Sequence, residues 1–431
     1  MAVIITTVKI LVLGSGGREH ALAWRLARDP GHPEILTAPG NPGTAEIGRN
    51  LSVSLGAPRE VLALAEREKV DLTVVGPEAP LELGLADLFR ERGLPIVGPT
   101  AKGAALECSK AHAKAFMQRY SIPTADFVVC TDAAAALGAV SGGRFGFPVV
   151  VKADGLAAGK GVTIAASREE AEDAVRAAMV EKTFGSAGAR LVIEECLSGP
   201  EVSMFYLLDG FRAAYLGSAQ DHKRIFDDDR GPNTGGMGAF APSPLVDDAL
   251  ERDVRRRIVQ PVLEGHQAIG EPYVGFLYVS LMLTPAGPKV IEFNARFGDP
   301  EAQAVLPLID GSLSELLLAA ARGSLTESAV RMTADKSVAV VLASRGYPAS
   351  SENGRQISGL DDVRALQGVT VFHAGTKSAD GRIVTAGGRV LTVVGRAASF
   401  GDAMAAAYRG VEHIRFDGMQ FRKDIGRKAI L

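Results

Sequence analysis

A lysine followed by a run of glycines stands between two apolar segments in the middle of the chain. The sequence VVVKADGLAAGKGV covers residues 149–162 and carries Lys152 and Lys160. It is not a Walker loop, because the glycine spacing is one residue short and Gly161 stands where Ser or Thr should follow the lysine. Lys152 on a strand and backbone N–H groups in the turn can hold β- and γ-phosphates. A solvated Gly-Lys hairpin is the alternative interpretation.

A second chemical pattern is the alternation of polar and apolar residues in IEFNARFGDPE. If this segment is a strand, Glu292, Asn294 and Arg296 point to one face. Two oxygen ligands, completed by phosphate oxygens and water, suit Mg²⁺, and an arginine beside them suits an anion. Ile291 and Phe293 would bury the opposite face. The pattern therefore predicts a metal and anion site on a half-buried strand.

Two further segments carry weaker signals. The connector in VIEECLSGPE, residues 192–201, offers backbone groups to an adenine edge, and Glu201 could bind ribose hydroxyls. Residues 220–238 contain QDHKR and GPNTGGMG, which are too polar and glycine-rich for a core, so this loop either binds substrate or is disordered. The acidic run Asp227–Asp229 is predicted to be a solvated face rather than a metal site.

The first glycine cluster, GSGGREH at residues 14–20, resembles a dinucleotide-binding turn but departs from it twice. Glu19 occupies the place of the third glycine, and the strand Ile35–Ala38 ends in Pro-Gly rather than in an acid for a ribose. A helix start beside Arg18 still suits a phosphate or a carboxylate. A tight turn without ligand is the alternative.

Strand, turn and helix signals alternate through the first hundred residues, which predicts a parallel sheet with helices on its faces. Its ligand crevice should lie beyond the strand carboxyl ends, near Gly14–His20 and Gly76–Glu78. The predicted strands are Lys9–Leu13, Ile35–Ala38, Leu72–Val75 and Pro95–Val97.

The rest of the chain predicts an α/β and α+β multidomain protein. A helix over Ser109–Tyr120 precedes a compact α+β segment, in which two strands joined by a glycine turn can act as a mobile flap. We predict three domains: an N-terminal α/β domain over 1–103, a central domain over 104–326 with a lid over about 124–195, and a strand-rich C-terminal domain over 327–431.

Composition excludes several classes of protein. The 431 residues are 47% apolar and 23% charged, which is typical of globular chains and too long for one core. A net charge of −3 gives no reason to expect a nucleic-acid or membrane-surface partner. Cys108, Cys130 and Cys196 are widely spaced, which favours a reducing cytoplasm and argues against a structural zinc. We expect a cytoplasmic protein with no obligate protein partner.

Taken together and in this order, the motifs resemble the ATP-grasp superfamily and, within it, the phosphoribosylamine–glycine ligase (glycinamide ribonucleotide synthetase) family. The matching segments are GGREHAL, VGPEAPL, KADGLAAGKGV, DHKR with GPNTGGMGA, IEFNARFGDPE and FRKDIG. They extend from Lys9 to Gly426, so the resemblance covers the whole chain. It implies an ATP-grasp central domain, and ATP, glycine and 5-phosphoribosylamine as substrates with Mg²⁺ or Mn²⁺. It also implies a glycyl phosphate intermediate.

The resemblance also implies residue roles. The catalytic residues it implies are Lys152, Asp221 and Arg296. The metal ligands it implies are Glu292 and Asn294. The ATP-binding residues it implies are Lys110, Lys152, Gly155, Gly159, Lys160, Gly161, Glu194, Glu195, Leu197 and Glu201. The residues it implies for the other substrates are Gly16, Gly17, Arg18, Glu19, Glu78, Asp221, Lys223, Asn233, Gly235, Arg296, Gly298 and Asp299.

Two other functions are open to these residues. An ATP-grasp carboxylase that uses biotin or bicarbonate commonly places a first metal carboxylate on the strand before the metal strand, but Gly275–Thr284 contains no acid. A non-catalytic nucleotide-binding regulator is the other alternative. The presence of Lys152, Glu292, Asn294 and Arg296 weighs against it.

Overall fold

The computed structural model describes residues 7–155, 161–326 and 330–430. The N-terminal unit is a five-stranded sheet in the order β3-β2-β1-β4-β5, and every pairing in it is parallel. The chain leaves β1 in one direction and returns on its other side as β4, which creates a crevice at the strand carboxyl ends. Its strands are β1 Lys9–Gly14, β2 Glu34–Pro39, β3 Arg49–Asn50, β4 Leu72–Val75 and β5 Ile96–Val97. Its helices are α1 Gly17–Leu26, α2 Pro42–Ala45, α3 Pro58–Glu68, α4 Ala79–Glu82, α5 Leu85–Glu91 and α6 Ala101–Cys108.

The next unit is a four-stranded antiparallel sheet in the order β6-β9-β7-β8. Two helices cover one face of this sheet, where Val151 and Ile193 of the strands pack with Ala136 of one helix and Ala171 of the other. Because strand side chains alternate, Lys152 and Glu194 lie on the opposite face. The strands are β6 Phe127–Cys130, β7 Val149–Ala153, β8 Val162–Ala165 and β9 Leu191–Glu195. The helices here are α7 Lys110–Arg119, α8 Ala133–Ser141 and α9 Arg168–Val175, which continues as a π-helical turn, Arg176–Val180.

Long antiparallel strands form the central unit. Those that matter for the site are β10, β15 and β16, since they lie side by side at one edge of a larger sheet. The strands are β10 Glu201–Asp209, β11 Ala213–Asp221, β12 Arg224–Phe226, β13 Arg230–Asn233, β14 Gly238–Ala241, β15 Val274–Thr284, β16 Gly287–Asn294, β17 Ile309–Asp310 and β18 Arg331–Met332. The helices are α10 Asp248–Val254, α11 Gln260–Ala268, α12 Glu301–Val305 and α13 Leu313–Ala321.

The C-terminal unit continues the same sheet, whose full order is β16-β15-β10-β11-β14-β19-β23-β20. The junction is the antiparallel pairing of β14 with β19, in which Gly238 faces Val340. One hydrogen-bonded sheet therefore runs across the predicted boundary at 327, a residue outside the described part of the chain. The remaining strands are β19 Lys336–Ala343, β20 Val369–His373, β21 Thr376–Ala379, β22 Arg382–Thr385 and β23 Arg389–Ala397. The remaining helices are α14 Leu360–Arg364 and α15 Phe400–His413.

One apolar core joins the N-terminal unit, the central unit and the C-terminal unit. It contains Ile10 from β1, Phe205 from β10 and Val394 from β23, all at most 1% exposed. Phe297, which follows β16, stacks on Phe205 with 4.8 Å between ring centroids. This contact fixes the segment after β16 against the central sheet. The predicted fold class, with a parallel N-terminal unit and a strand-rich C-terminal unit, is confirmed.

No helix in the part of the chain that the structure describes combines the length and the apolar character needed to cross a bilayer.

Candidate active site

The strand that carries the predicted metal ligands contains a β-bulge. In the pairing of β16 with β15, Glu292 faces Ser280 and Val290 faces Leu281, so Ile291 has no partner. Phe293 and Val290 consequently share one apolar core, to which Ile291 does not belong. The prediction that Ile291 and Phe293 bury the same face is wrong, because the bulge interrupts the two-residue alternation.

Glu292 lies in a strongly positive environment. Burial by itself raises the pKa of Glu292, but Lys110, Lys223 and Lys152 outweigh burial and hold the pKa below its usual range. Asn294, two residues along the strand, is buried. Among residues 7–155, 161–326 and 330–430, no group of three or more His, Cys, Asp or Glu side chains could hold a metal. A carboxylate and an amide oxygen could therefore hold a divalent cation only together with ligand oxygens such as those of phosphate.

Two lysines share one buried carboxylate on the inner face of the four-stranded sheet. Lys152 of β7 forms an ion pair with Glu194 Oε1, and Lys114 Nζ of α7 lies 2.5 Å from Glu194 Oε2. Lys152 Nζ also donates to the carbonyl of Ile291 at the bulge, at 3.4 Å. The Glu194 carboxylate, which the resemblance assigns to adenine, is thus engaged by lysines. Lys114 was missed by the sequence analysis, although it follows Lys110 by one helical turn.

The start of helix α7 is tied to the glycine loop by Asp154. Its carboxylate accepts from Ser109 Oγ at 3.0 Å, from the Ala111 N–H at 2.9 Å and from Arg190 Nε at 2.5 Å. Ser109 caps the helix, which places Lys110 in its first turn. Asp154, for which no role was predicted, therefore joins the predicted phosphate loop to the helix that bears Lys110.

The predicted ATP-binding glycines and Leu197 lie in two connecting segments, one between β7 and β8 and the other after β9. Gly155 has φ +130°, a conformation that favours glycine, at the start of the loop. Gly161 follows the loop, whereas Gly159 and Lys160 lie outside the described residues. Leu197 is half-buried in the connector after β9.

The two other glutamates of the predicted ATP site are paired with lysines. Lys289 Nζ lies 2.6 Å from Glu195 Oε1, and Lys223 forms an ion pair with Glu201. Their side chains therefore have charged partners in this structure.

Arg296 is held between two carboxylates beyond the end of β16. Its Nη2 lies 2.7 Å from Glu107 Oε1, and its Nε lies 3.3 Å from Glu78 Oε2. Glu107 also accepts from the Ala295 N–H at 2.6 Å. Burial raises the pKa of Glu107 above its usual range despite the opposing effect of Arg296. Glu107 was not predicted, because it lies 188 residues before Ala295.

Glu19 fills the N-terminal crevice that the glycine cluster predicted. Its Oε2 accepts from the Gly16 N–H at 2.6 Å, and its Oε1 lies 2.7 Å from Arg18 Nε. A Cβ at Gly14 or at Gly76 would overlap the Glu19 side chain, so both positions require glycine. Glu19 organises the turn in this structure, and its role in binding substrate stays a prediction.

Arg18 and the neighbouring Gly17 face the segment after β16. Arg18 Nη1 donates to the Phe297 carbonyl at 3.0 Å. A Cβ at Gly17 would overlap the Gln303 amide, and one at Gly298 would come within 2.5 Å of Glu301 Oε2. Gly17 thus allows the N-terminal turn to approach α12 closely, whereas Gly298 makes room for the Glu301 side chain within the segment after β16.

The glycine-rich loop is held by the C-terminal unit. Tyr347 Oη accepts from the Gly235 N–H at 2.9 Å, and Arg389 Nη1 donates to the carbonyls of Gly235 at 2.5 Å and Asp299 at 2.7 Å. Arg389 Nη2 also lies 3.4 Å from Asp299 Oδ2. Asn233 closes the β12–β13 hairpin at the base of this loop. Tyr347 and Arg389 were missed, since they lie more than 100 residues from the loop in sequence.

Two acidic residues, Asp221 and Glu301, lie beside β16, the strand that carries the predicted metal ligands. Burial raises the pKa of Asp221, although the nearby Lys223 lowers it. Burial, followed by the charge of Asp221, also raises the pKa of Glu301 to about 7. Glu301 Oε1 accepts from Tyr278 Oη at 2.9 Å. Asp221 and Lys223 therefore lie near Glu292, and Glu301 is a further neighbour that was not predicted.

The acidic run Asp227–Asp229 is exposed at Asp228 and Asp229 and half-buried at Asp227, and it also contacts the C-terminal segment. Asp229 lies 2.8 Å from Arg422 Nη1 and 2.6 Å from Lys428 Nζ. Asp227 Oδ1 accepts from the Lys423 N–H at 2.8 Å. The prediction of a solvated run is confirmed, and residues 422–428, nearly 200 residues further along the chain, supply partners that the composition of the run does not reveal.

Three family models match the chain in succession. They are described as "Phosphoribosylglycinamide synthetase, N domain" over residues 8–107, the "ATP-grasp (A) domain" over residues 108–302 and the "C domain" over residues 337–428. The chain belongs to the phosphoribosylglycinamide synthetase family. The resemblance found in the sequence is thereby confirmed, as is an ATP-grasp fold for the central domain.

Members of this family resemble the chain over its full length. A phosphoribosylamine–glycine ligase of Xanthomonas campestris pv. campestris is 49% identical over 98% of both chains. The crystal structure of a phosphoribosylamine–glycine ligase from Thermotoga maritima superposes with a TM-score of 0.86 at 34% identity, covering 97% of this chain and all of that one.

The biotin carboxylase domain of Hydrogenobacter thermophilus 2-oxoglutarate carboxylase shares the fold at 18% identity, with a TM-score of 0.71 over 96% of this chain and 91% of its own.

Proposed function

We propose that the protein is an ATP-dependent ligase that joins glycine to 5-phosphoribosylamine and releases glycinamide ribonucleotide, ADP and phosphate. Family membership and full-length similarity to phosphoribosylamine–glycine ligases support this activity. The observation that carries the chemistry is the cluster around β16, where Glu292 faces Lys110, Lys152 and Lys223. Lys152 and Lys223 are paired with Glu194 and Glu201, whereas Lys110 forms no ion pair among the described residues, so its charge is available for a polyanionic substrate.

The residues of β16 fit a divalent cation, which we propose is Mg²⁺ or Mn²⁺. Glu292 is held ionised and Asn294 offers an amide oxygen, both suited to hard cations. A cation bound there would offset the charge of the phosphate oxygens during transfer.

We propose that glycine is activated as glycyl phosphate. A glycine carboxylate oxygen attacks the γ-phosphorus of ATP and ADP leaves; the amine of phosphoribosylamine then attacks the acyl carbon and orthophosphate leaves. Lys152 and Arg296 offset charge during the phosphoryl transfer, which depends mainly on positioning and electrostatics. Because Glu78 and Glu107 hold Arg296 rigidly, its guanidinium is preorganised beside the strand that bears the metal ligands.

The substrate roles are proposals of the same kind. Lys110 and Lys152 would contact ATP phosphates, the connector to Leu197 the adenine, and Glu201 the ribose. The amine substrate and glycine would lie between the N-terminal turn and the glycine-rich loop, where Arg389 brings Gly235 and Asp299 together. The cytoplasmic location remains a prediction from the cysteine pattern.

An isotope experiment tests the route. Glycine labelled with oxygen-18 in its carboxylate is incubated with the protein, ATP, Mg²⁺ and phosphoribosylamine, and the phosphorus products are examined by mass spectrometry. One labelled oxygen should appear in orthophosphate, with ADP as the nucleotide product. Label in AMP, or pyrophosphate among the products, would contradict the acyl phosphate. A reaction lacking phosphoribosylamine is the control for ATP hydrolysis unrelated to ligation.

A carboxylase-type alternative is disfavoured by the neighbouring strand. β15, Val274–Thr284, pairs with β16 from Tyr278 to Thr284 and contains no carboxylate. ATP consumption that depends on bicarbonate rather than on glycine would favour that alternative.

A further inference from the structure

Three charged side chains are buried together beneath the proposed phosphate site. Lys114, Lys152 and Glu194 are 2%, 4% and 4% exposed. Two of them are cations and one is an anion, so together they carry one positive charge in excess, which the nearby Glu292 of β16 offsets in part. An uncompensated buried charge is costly unless a ligand of opposite charge completes the site.

Lys114 contacts both Glu194 and Thr124 at short distance, whereas Glu194 is the only short-distance partner of Lys152 among the described residues. Lys114 Nζ donates to Thr124 Oγ1 at 2.7 Å, and Thr124 Oγ1 donates to the Val290 carbonyl at 2.7 Å, which anchors Lys114 beside β16. Beyond Glu194, Lys152 makes only a 3.4 Å hydrogen bond to the Ile291 carbonyl among the contacts in the described residues. Lys152 is therefore the member of the cluster that is free to change partner.

We propose that Lys114 is a positioning residue for the nucleotide reaction: by retaining Glu194, it frees Lys152 for the phosphate chain of a nucleoside triphosphate. The inference rests on the proposed ATP-dependent function. If Lys114 were absent, moving Lys152 to a phosphate would leave Glu194 as an unpaired buried carboxylate, which is strongly unfavourable. With Lys114 in place, Glu194 remains neutralised after Lys152 has moved.

Charge and hydrogen bonding can be separated by substitution. Lys114→Gln removes the charge but keeps donors for Thr124 and Glu194, so it is milder than an apolar replacement. Calorimetry on the full chain with Mg²⁺ should show that Lys114→Gln weakens ATP binding roughly tenfold. Adenosine, which has no phosphates, should bind as it does to the wild type, and the KM for glycine should be unchanged. Lys102→Gln, which replaces an exposed lysine on α6, is the matched control.

A second variant distinguishes the proposal from simple structural damage. Adding Glu194→Gln to Lys114→Gln removes the carboxylate that would otherwise retain Lys152, so most of the lost ATP affinity should return. Damage to the fold would instead make the double variant bind more weakly than either single one. Unchanged ATP affinity in Lys114→Gln, or no recovery in the double variant, would overturn the inference. Failure of the wild-type chain to consume ATP with glycine and phosphoribosylamine would instead refute the proposed function.

Discussion

Arg422 offers a quantitative test of how the C-terminal segment holds the glycine-rich loop. Its side chain is fully buried. It binds Asp424 through two nitrogens, at 2.7 Å from Nε and 2.6 Å from Nη2, and it donates to the Arg224 carbonyl at 3.1 Å. Nη1 also lies 2.8 Å from Asp229. Arg422→Met keeps the aliphatic volume and removes all four contacts.

The free energy lost in Arg422→Met follows from how exposed Asp424 and Asp229, the two carboxylate partners of Arg422, are to solvent. The Asp424 side chain is 14% exposed, so its two-point hydrogen bond should contribute about 1.5–3 kcal/mol. Asp229 is 40% exposed and keeps Lys428, so its contact should contribute at most about 1 kcal/mol. We expect Arg422→Met to destabilise the loop by about 3 kcal/mol.

Amide hydrogen exchange measures this loss locally, which is preferable in a chain with several units. About 3 kcal/mol corresponds to exchange roughly 10²-fold faster across β12 and β13, provided that the loop exchanges by local opening. Arg427→Met, a substitution of an exposed arginine in the same C-terminal turn, is the control and should exchange like the wild type. Unchanged protection in Arg422→Met would refute the assigned role of the ion pairs.

The contact between Arg422 and Asp424 predicts that the stability of the loop depends on pH. Burial alone would raise the pKa of Asp424, but the Arg422 hydrogen bonds hold it well below its usual range. A carboxylate with a lowered pKa in the folded state stabilises the fold above its unfolded pKa of about 3.9, and this stabilisation is lost as the pH falls through the folded value. The difference in protection between wild type and Arg422→Met should therefore be constant near neutral pH and shrink below about pH 4.

Three further predictions concern the proposed site. Lys152→Met should lower turnover roughly 10²–10³-fold, as expected for loss of one preorganised charge, and the exposed Lys377→Met should not; equal rates would remove Lys152 from the mechanism. Glu292→Gln should raise the Mg²⁺ concentration needed for half-maximal rate, and wild-type activity at low Mg²⁺ would contradict the metal assignment. Arg389→Gln should raise the KM for phosphoribosylamine roughly tenfold while leaving the KM for ATP unchanged, because its contacts are to Gly235 and Asp299. An effect confined to ATP would contradict this placement.

Much of the fold and part of the site could be predicted from local sequence. Apolar runs that end in glycine or proline predicted the parallel N-terminal strands, since a strand is defined by a few consecutive residues. Alternation along residues 292–296 placed Glu292 and Asn294 on β16, and Lys152 on its own strand was recognised from the glycines that follow it. Each of these inferences depends on residues that are neighbours in the chain.

The partners of those side chains could not be predicted in the same way. Glu107 lies 188 residues before Ala295, whose N–H it accepts, and Arg389 lies 154 residues after Gly235. The Ile291 bulge depends on the register between β16 and β15, which periodicity within one strand does not reveal. Asp227–Asp229 has the composition of a solvated run, and its role depends on a segment that arrives only when the C-terminal unit packs against it.

The sequence by itself determined which groups are available for chemistry and on which strands or turns they lie, because local periodicity and turn chemistry act over a few residues. Only the tertiary structure decided which charges neutralise one another. Lys114 and Lys152 meet at Glu194 because α7, β7 and β9 pack together, and burial in that packing lowers the pKa of Lys114 to about 8 although Glu194 opposes the shift. Electrostatic interactions depend on distance in space, and the sequence of one chain records only distance along it.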